Sequence, residues 1–174
     1  LSGDYILARS YSLGMQSAQF DIVSYITAGI SELVEGELIQ SELNGSRRVS
    51  REAYLDIIFK KTAILMGVSS GAGAMAAGAA ATEVGMARQI GLDLGMAFQI
   101  KDDILDVTST QEVLGKPVFS DEKNNKTTYV TLYGMEKAAA DVENMSEKAE
   151  SIVKSIGDNE FLIELINKLI SREK

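Results

Sequence analysis

Residues 98–106 read Phe98-Gln99-Ile100-Lys101-Asp102-Asp103-Ile104-Leu105-Asp106, FQIKDDILD, three carboxylates set in an apolar run. The spacing predicts a helix. Gln99, Asp102, Asp103 and Asp106 stand at i, i+3, i+4 and i+7 and share one face, with Phe98, Ile100, Ile104 and Leu105 beside it. Asp102 and Asp106, one turn apart, repel each other unless a cation lies near them. Lys101 is badly placed to be that cation, because adjacent helical residues point apart. From spacing alone, two readings stand: a solvated acidic edge, or ligands for a cation.

Outward from this stretch the chain reads as helix nearly throughout. We expect helices over residues 5–16 and 20–43, the second with Ile22, Ile26, Ile30, Leu33 and Glu37 in one stripe. NGSRR (44–48) reads as a loop, and Ser50 as the cap of a helix running through YLDIIFKKTAILM. A helix should begin near Thr82 and continue past Asp106. Residues 110–125 are loop-like, and Phe161, Leu162, Leu165, Ile166, Leu169 and Ile170 form a final amphipathic stripe. TTYVTLY (127–133) is β-branched and, by propensity alone, could be a strand. These patterns predict an all-α single domain over 1–174.

Composition removes several function classes. With 25 acidic against 17 basic residues the net charge is −8, which disfavours nucleic-acid binding. There is no histidine and no cysteine, so imidazole and thiolate chemistry within the chain is excluded. A bound metal would need oxygen ligands, favouring Mg²⁺ or Mn²⁺. Residues 62–82, TAILMGVSSGAGAMAAGAAAT, carry no charge but are mostly Gly, Ala and Ser. We read them as two closely packed helices with a tight turn, not as a membrane span. Gly67, Gly71, Gly73, Gly78, Gly91 and Gly95 are expected at packing or turn positions. The opening LSGDYILARS has no basic leader region, and a cytoplasmic location is expected.

Lys60-Lys61-Thr62 and the later Lys116 and Lys126 supply donors suited to phosphate oxygens. Carboxylates, a divalent cation and several lysines together make a diphosphate site.

At this level the chain resembles the trans-isoprenyl diphosphate synthases. GMAFQIKDDILD (95–106) resembles their second aspartate-rich motif, G-x-x-F-Q-x-x-D-D-x-x-D, at Gly95, Phe98, Gln99, Asp102, Asp103 and Asp106. LSGDYILAR (1–9), GELIQ (36–40), KKTAILM (60–66), LGKP (114–117), NKTTY (125–129) and LINKLISREK resemble further family segments in family order.

The resemblance implies an isoprenoid-synthase-type helical bundle around a central cavity. It also implies head-to-tail joining of isopentenyl diphosphate to an allylic prenyl diphosphate with Mg²⁺, or possible Mn²⁺. Asp102 matches a direct metal ligand; Asp103 and Asp106 complete the metal-binding motif, acting more through waters, lysine pairing or positioning. Lys61, Thr62, Gln99, Lys116 and Lys126 match groups around the allylic diphosphate, with Lys61, Thr62, Gln99 and Asp102 as the catalytic set. Phe98 would line the site. Glu37 and Gln40 would either face the cavity or pack as a buried polar pair. A homodimer is implied as well.

The chain departs from the pattern in one major respect. The family's first D-D-x-x-D motif and its arginine pair would precede LSGDY and are not among these residues, which places the chain as a C-terminal portion with N-terminal helices missing. These 174 residues alone are therefore expected to be inactive. Asn125 and Val130 also stand where Gly and Pro are frequent. The alternatives are a noncatalytic regulatory or scaffold subunit, or a helical interaction protein whose acids are surface.

Overall fold

A computed structural model describes residues 1–43, 49–108, 127–157 and 159–172. The helices are α1 (Ser2–Gln16), α2 (Phe20–Leu43), α3 (Arg51–Ile58), α4 (Ile64–Ala76), α5 (Ala81–Thr108), α6 (Tyr129–Tyr133), α7 (Met135–Ile156) and α8 (Glu160–Ser171). A π-helical turn, Phe59–Ala63, joins α3 to α4. No strand occurs among the described residues. Loops expected over 44–48 and 110–125, together with Lys116 and Lys126, lie outside the described residues.

Local chemistry explains the boundaries. Ser50, with extended backbone, accepts a hydrogen bond from the Ala53 N–H at 3.1 Å and starts α3 as expected. Asn159 caps α8 in the same way through the Leu162 N–H. The uncharged 62–82 stretch folds as the end of the π turn, α4, a turn through Gly78 at φ 77°, and the start of α5. No described helix is long and apolar enough to cross a membrane.

TTYVTLY does not form a strand. Thr128 and Thr131 make a reciprocal capping box that starts α6, and Gly134 at φ 84° ends it. The cap satisfies backbone N–H groups locally, which outweighs a β preference that needs a neighbouring strand to be realised.

Helix α5 runs through the centre. Ala97 and Ile100 are fully buried against Tyr54, Ile58, Tyr129, Ala138 and Val142. Further along, Ile90 and Leu94 pack with Ala149 and Val153 of α7 and Ile166 of α8. The predicted C-terminal stripe is wider than the face the core uses: Ile166 is buried, whereas Phe161 and Leu165 are exposed.

Two glycines let neighbouring helices close on the π turn. A Cβ on Gly95 of α5 would overlap the Ala63 Cα, and one on Gly36 of α2 would lie 2.7 Å from the Lys60 Cβ. Gly95→Ala therefore has to push backbone against backbone. It should lower stability by about 1–3 kcal/mol, the range for overpacking, read as a lower urea midpoint. Gly85→Ala, also on α5 but with open space around it, should be neutral or stabilising.

Candidate functional site

The π turn presents Lys60, Lys61 and Thr62. A π turn widens the helix by one residue per turn and is frequent where side chains must be re-aimed. Lys61 Nζ donates to Gln40 Oε1 at 2.6 Å and pairs with Glu37 at 3.1 Å, so Glu37 and Gln40 of α2 hold it from the opposite side. Lys60 pairs with Asp56 at 3.4 Å and Glu35 at 3.5 Å. Burial would lower its pKa, but these two carboxylates outweigh that and raise it.

Thr62 connects the turn to the acidic helix. Its hydroxyl donates to Gln99 Oε1 at 3.1 Å, and Gln99 Nε2 reaches Asp103 Oδ1 at 3.5 Å. The 60–66 segment and the acidic helix thus meet through Thr62 and Gln99.

The three aspartates divide by environment. Asp103 is 4% exposed and Asp106 is 3% exposed, whereas the Asp102 side chain is 41% exposed. Asp103 accepts from the Tyr54 hydroxyl and from the Tyr129 N–H at 2.6 Å, fastening α3 and the start of α6 to α5. These donors hold its carboxylate inside the core. No cluster of three or more potential ligands occurs among the described residues. Asp106 is buried and engaged as well.

Asp102 meets a cation. Arg172, just past α8, donates to Asp102 Oδ1 at 2.6 Å and to the Phe98 carbonyl at 3.0 Å. Its guanidinium stacks 3.5 Å from the Phe98 ring centroid. The donor set here is oxygen only, Asp102 is accessible, and it already binds positive charge; these features fit a hard divalent cation.

Tyr54, Tyr129 and Arg172 escaped the sequence reading. Their partners lie 49, 26 and 70 residues away in the chain, beyond any local spacing signal. Tyr129 is also tied to α7: its hydroxyl donates to Asp141 at 2.6 Å, and burial together with that carboxylate raises its pKa. Burial alone would raise Asp141, but hydrogen bonds from Lys137 and Tyr129 outweigh it and lower its pKa. A groove of about 350 Å³ at the α1–α2 turn, lined by Ala18, Phe20, Ile22 and Met75 among others, contains none of the expected site residues.

The family model for polyprenyl synthetase matches residues 1–166. The chain belongs to the polyprenyl synthetase family. It is 35% identical over 159 residues to a geranylgeranyl diphosphate synthase of Sulfolobus acidocaldarius, covering 86% of this chain and 47% of that protein. A crystal structure of geranylgeranyl pyrophosphate synthase from Bacteroides thetaiotaomicron superposes with a TM-score of 0.88 at 27% identity, covering 99% of this chain and 70% of the other. For fold alone, a polyprenyl synthase from Caulobacter crescentus complexed with calcium and isoprenyl diphosphate gives a TM-score of 0.86 at 24% identity, covering 99% and 65%. The chain spans about half the length of the first curated relatives it matches. These polyprenyl synthetase relatives carry synthase names, which does not favour the regulatory-subunit alternative.

Proposed function

We propose that this chain supplies the second-motif half of a trans-prenyltransferase. The reaction joins isopentenyl diphosphate head to tail to an allylic diphosphate and gives an all-trans prenyl diphosphate. The observation that supports this reading is the Thr62–Gln99 hydrogen bond, which ties the lysine-threonine turn to the helix that carries the accessible carboxylate of Asp102.

Asp102 would hold a divalent cation, Mg²⁺ by preference and Mn²⁺ as a substitute. When bound, that cation supplies positive charge against the negative charge that grows on a departing diphosphate. The chain's own groups do the remaining work. Lys61 donates to diphosphate oxygens, and the Thr62 hydroxyl does so by turning its single proton from Gln99 Oε1 to the anion. Lys116 and Lys126 are proposed as later donors to the same anion. Phe98 offers an apolar ring to the prenyl tail, which needs inert, water-excluding surroundings while carbocation character develops. Asp106 acts from behind Asp102 as a positioning residue.

We also read a cytoplasmic homodimer. Helix α1 buries no residue of its own, and Tyr5, Ile6, Leu13 and Met15 are exposed along it. A second copy covering that face would remove apolar area from water.

Lys61→Ala tests the diphosphate contact. Loss of one charge-assisted hydrogen bond should raise the KM for the allylic diphosphate by about 10–100-fold, with a smaller effect on kcat. The assay is labelled isopentenyl transfer by a polypeptide carrying the family's first motif ahead of Leu1. Unchanged KM would remove Lys61 from the site; no prenyl product at any Mg²⁺ concentration would remove the function.

A further inference from the structure

Arg172 stands outside the proposed catalytic set, yet it makes an enclosed cationic contact at the acidic helix. Its side chain is only 17% exposed. One nitrogen, Nη2, serves both the Asp102 carboxylate and the Phe98 carbonyl, while the guanidinium plane covers the Phe98 ring. Its Nε is buried without a hydrogen-bond partner among the described residues. The guanidinium is therefore held firmly at Nη2 and left incomplete at Nε, so release gives the Nε back to water.

We propose that Arg172 is a built-in counter-cation of Asp102 that a divalent cation must displace, so that this residue sets the cation concentration at which the site fills. This rests on the reading of Asp102 as a metal ligand. The physical reason is direct. A guanidinium nitrogen 2.6 Å from Oδ1 occupies one lone pair of that oxygen and repels any second cation brought to the same carboxylate. Displacement also uncovers the Phe98 ring, coupling metal entry to exposure of the aromatic face proposed for the prenyl tail. The guanidinium thus neutralises the carboxylate and stacks on the ring until a divalent cation arrives, and the two cations compete by linkage.

The test uses Mn²⁺ as probe and the amide signals of residues 98–102 in ¹H–¹⁵N spectra of the ¹⁵N-labelled protein. Paramagnetic broadening localises the ion, and the dispersion of the spectrum reports folding. Arg172→Gln should shift the broadening midpoint to about tenfold lower Mn²⁺, the lower end of what a charge-assisted bond at a half-exposed carboxylate contributes. Arg172→Lys keeps the charge without the planar fork and should fall between wild type and Arg172→Gln. Asp102→Asn should abolish the local broadening in either background. If Asp102→Asn abolishes it but Arg172→Gln leaves the midpoint unchanged or raises it, the Arg172 proposal is overturned and the metal reading stands. If Asp102→Asn leaves the broadening intact, or wild type and Arg172→Gln both show none, the metal reading itself is overturned.

Discussion

Asp102→Ala should lower prenyl-transfer turnover by about 10²–10³-fold, equivalent to roughly 2.7–4 kcal/mol, the scale of losing one group that stabilises transition-state charge. The measurement is turnover at saturating allylic diphosphate across a Mg²⁺ titration, in a polypeptide that carries the family's first motif ahead of Leu1. The fold should survive. Asp102 is 41% exposed at its side chain, and its removal relieves repulsion from the neighbouring acids. Asp106→Ala should reduce turnover less, because Asp106 is buried behind that surface. If the acids were only a solvated edge, turnover and its Mg²⁺ dependence would both be unchanged.

Asp103→Ala should act on the opposite quantity. Its carboxylate is the acceptor for the Tyr54 hydroxyl and the Tyr129 N–H, both in the core. Removing it strands two buried donors at about 1–3 kcal/mol each, so a loss of roughly 2–5 kcal/mol is expected. Equilibrium urea unfolding, followed by circular dichroism, reads this as a lower midpoint. Asp103→Asn keeps one oxygen acceptor and should lose less. An Asp103→Ala protein that unfolds at the wild-type urea concentration would show that the Tyr54–Asp103–Tyr129 clasp does not hold these helices together. Two adjacent aspartates of one motif are thus expected to differ in kind, one read by turnover and the other by unfolding.

That difference was not legible in FQIKDDILD. Helical spacing correctly placed Gln99, Asp102, Asp103 and Asp106 on one broad face, since spacing depends only on helix geometry. What divides the face is the arrival of Tyr54 from α3 and Tyr129 from α6, and that is a matter of tertiary packing. The helices themselves were readable because their signals are local: the Ser50 cap, the α2 and α8 stripes, and the turn at Gly78. TTYVTLY read either way by propensity because β-branched composition is visible in a sequence while the absence of a pairing strand is not. The π turn at 59–63 had no sequence signal of its own. It follows from α2 and α5 closing on one segment at Gly36 and Gly95. Arg172 was hidden for the same reason as the tyrosines, its partner Asp102 lying 70 residues earlier.

The central claim is that Asp102 and the lysine-threonine turn form one cation-assisted diphosphate site. Anomalous diffraction from crystals grown with Mn²⁺ and inorganic diphosphate tests it most directly. A manganese peak is expected at direct-ligand distance from an Asp102 carboxylate oxygen, with diphosphate oxygens within hydrogen-bonding reach of Lys61 and Thr62 and Arg172 withdrawn from Asp102. Diphosphate bound away from Lys61 and Thr62, or no manganese at Asp102 with Arg172 still seated there, would contradict it.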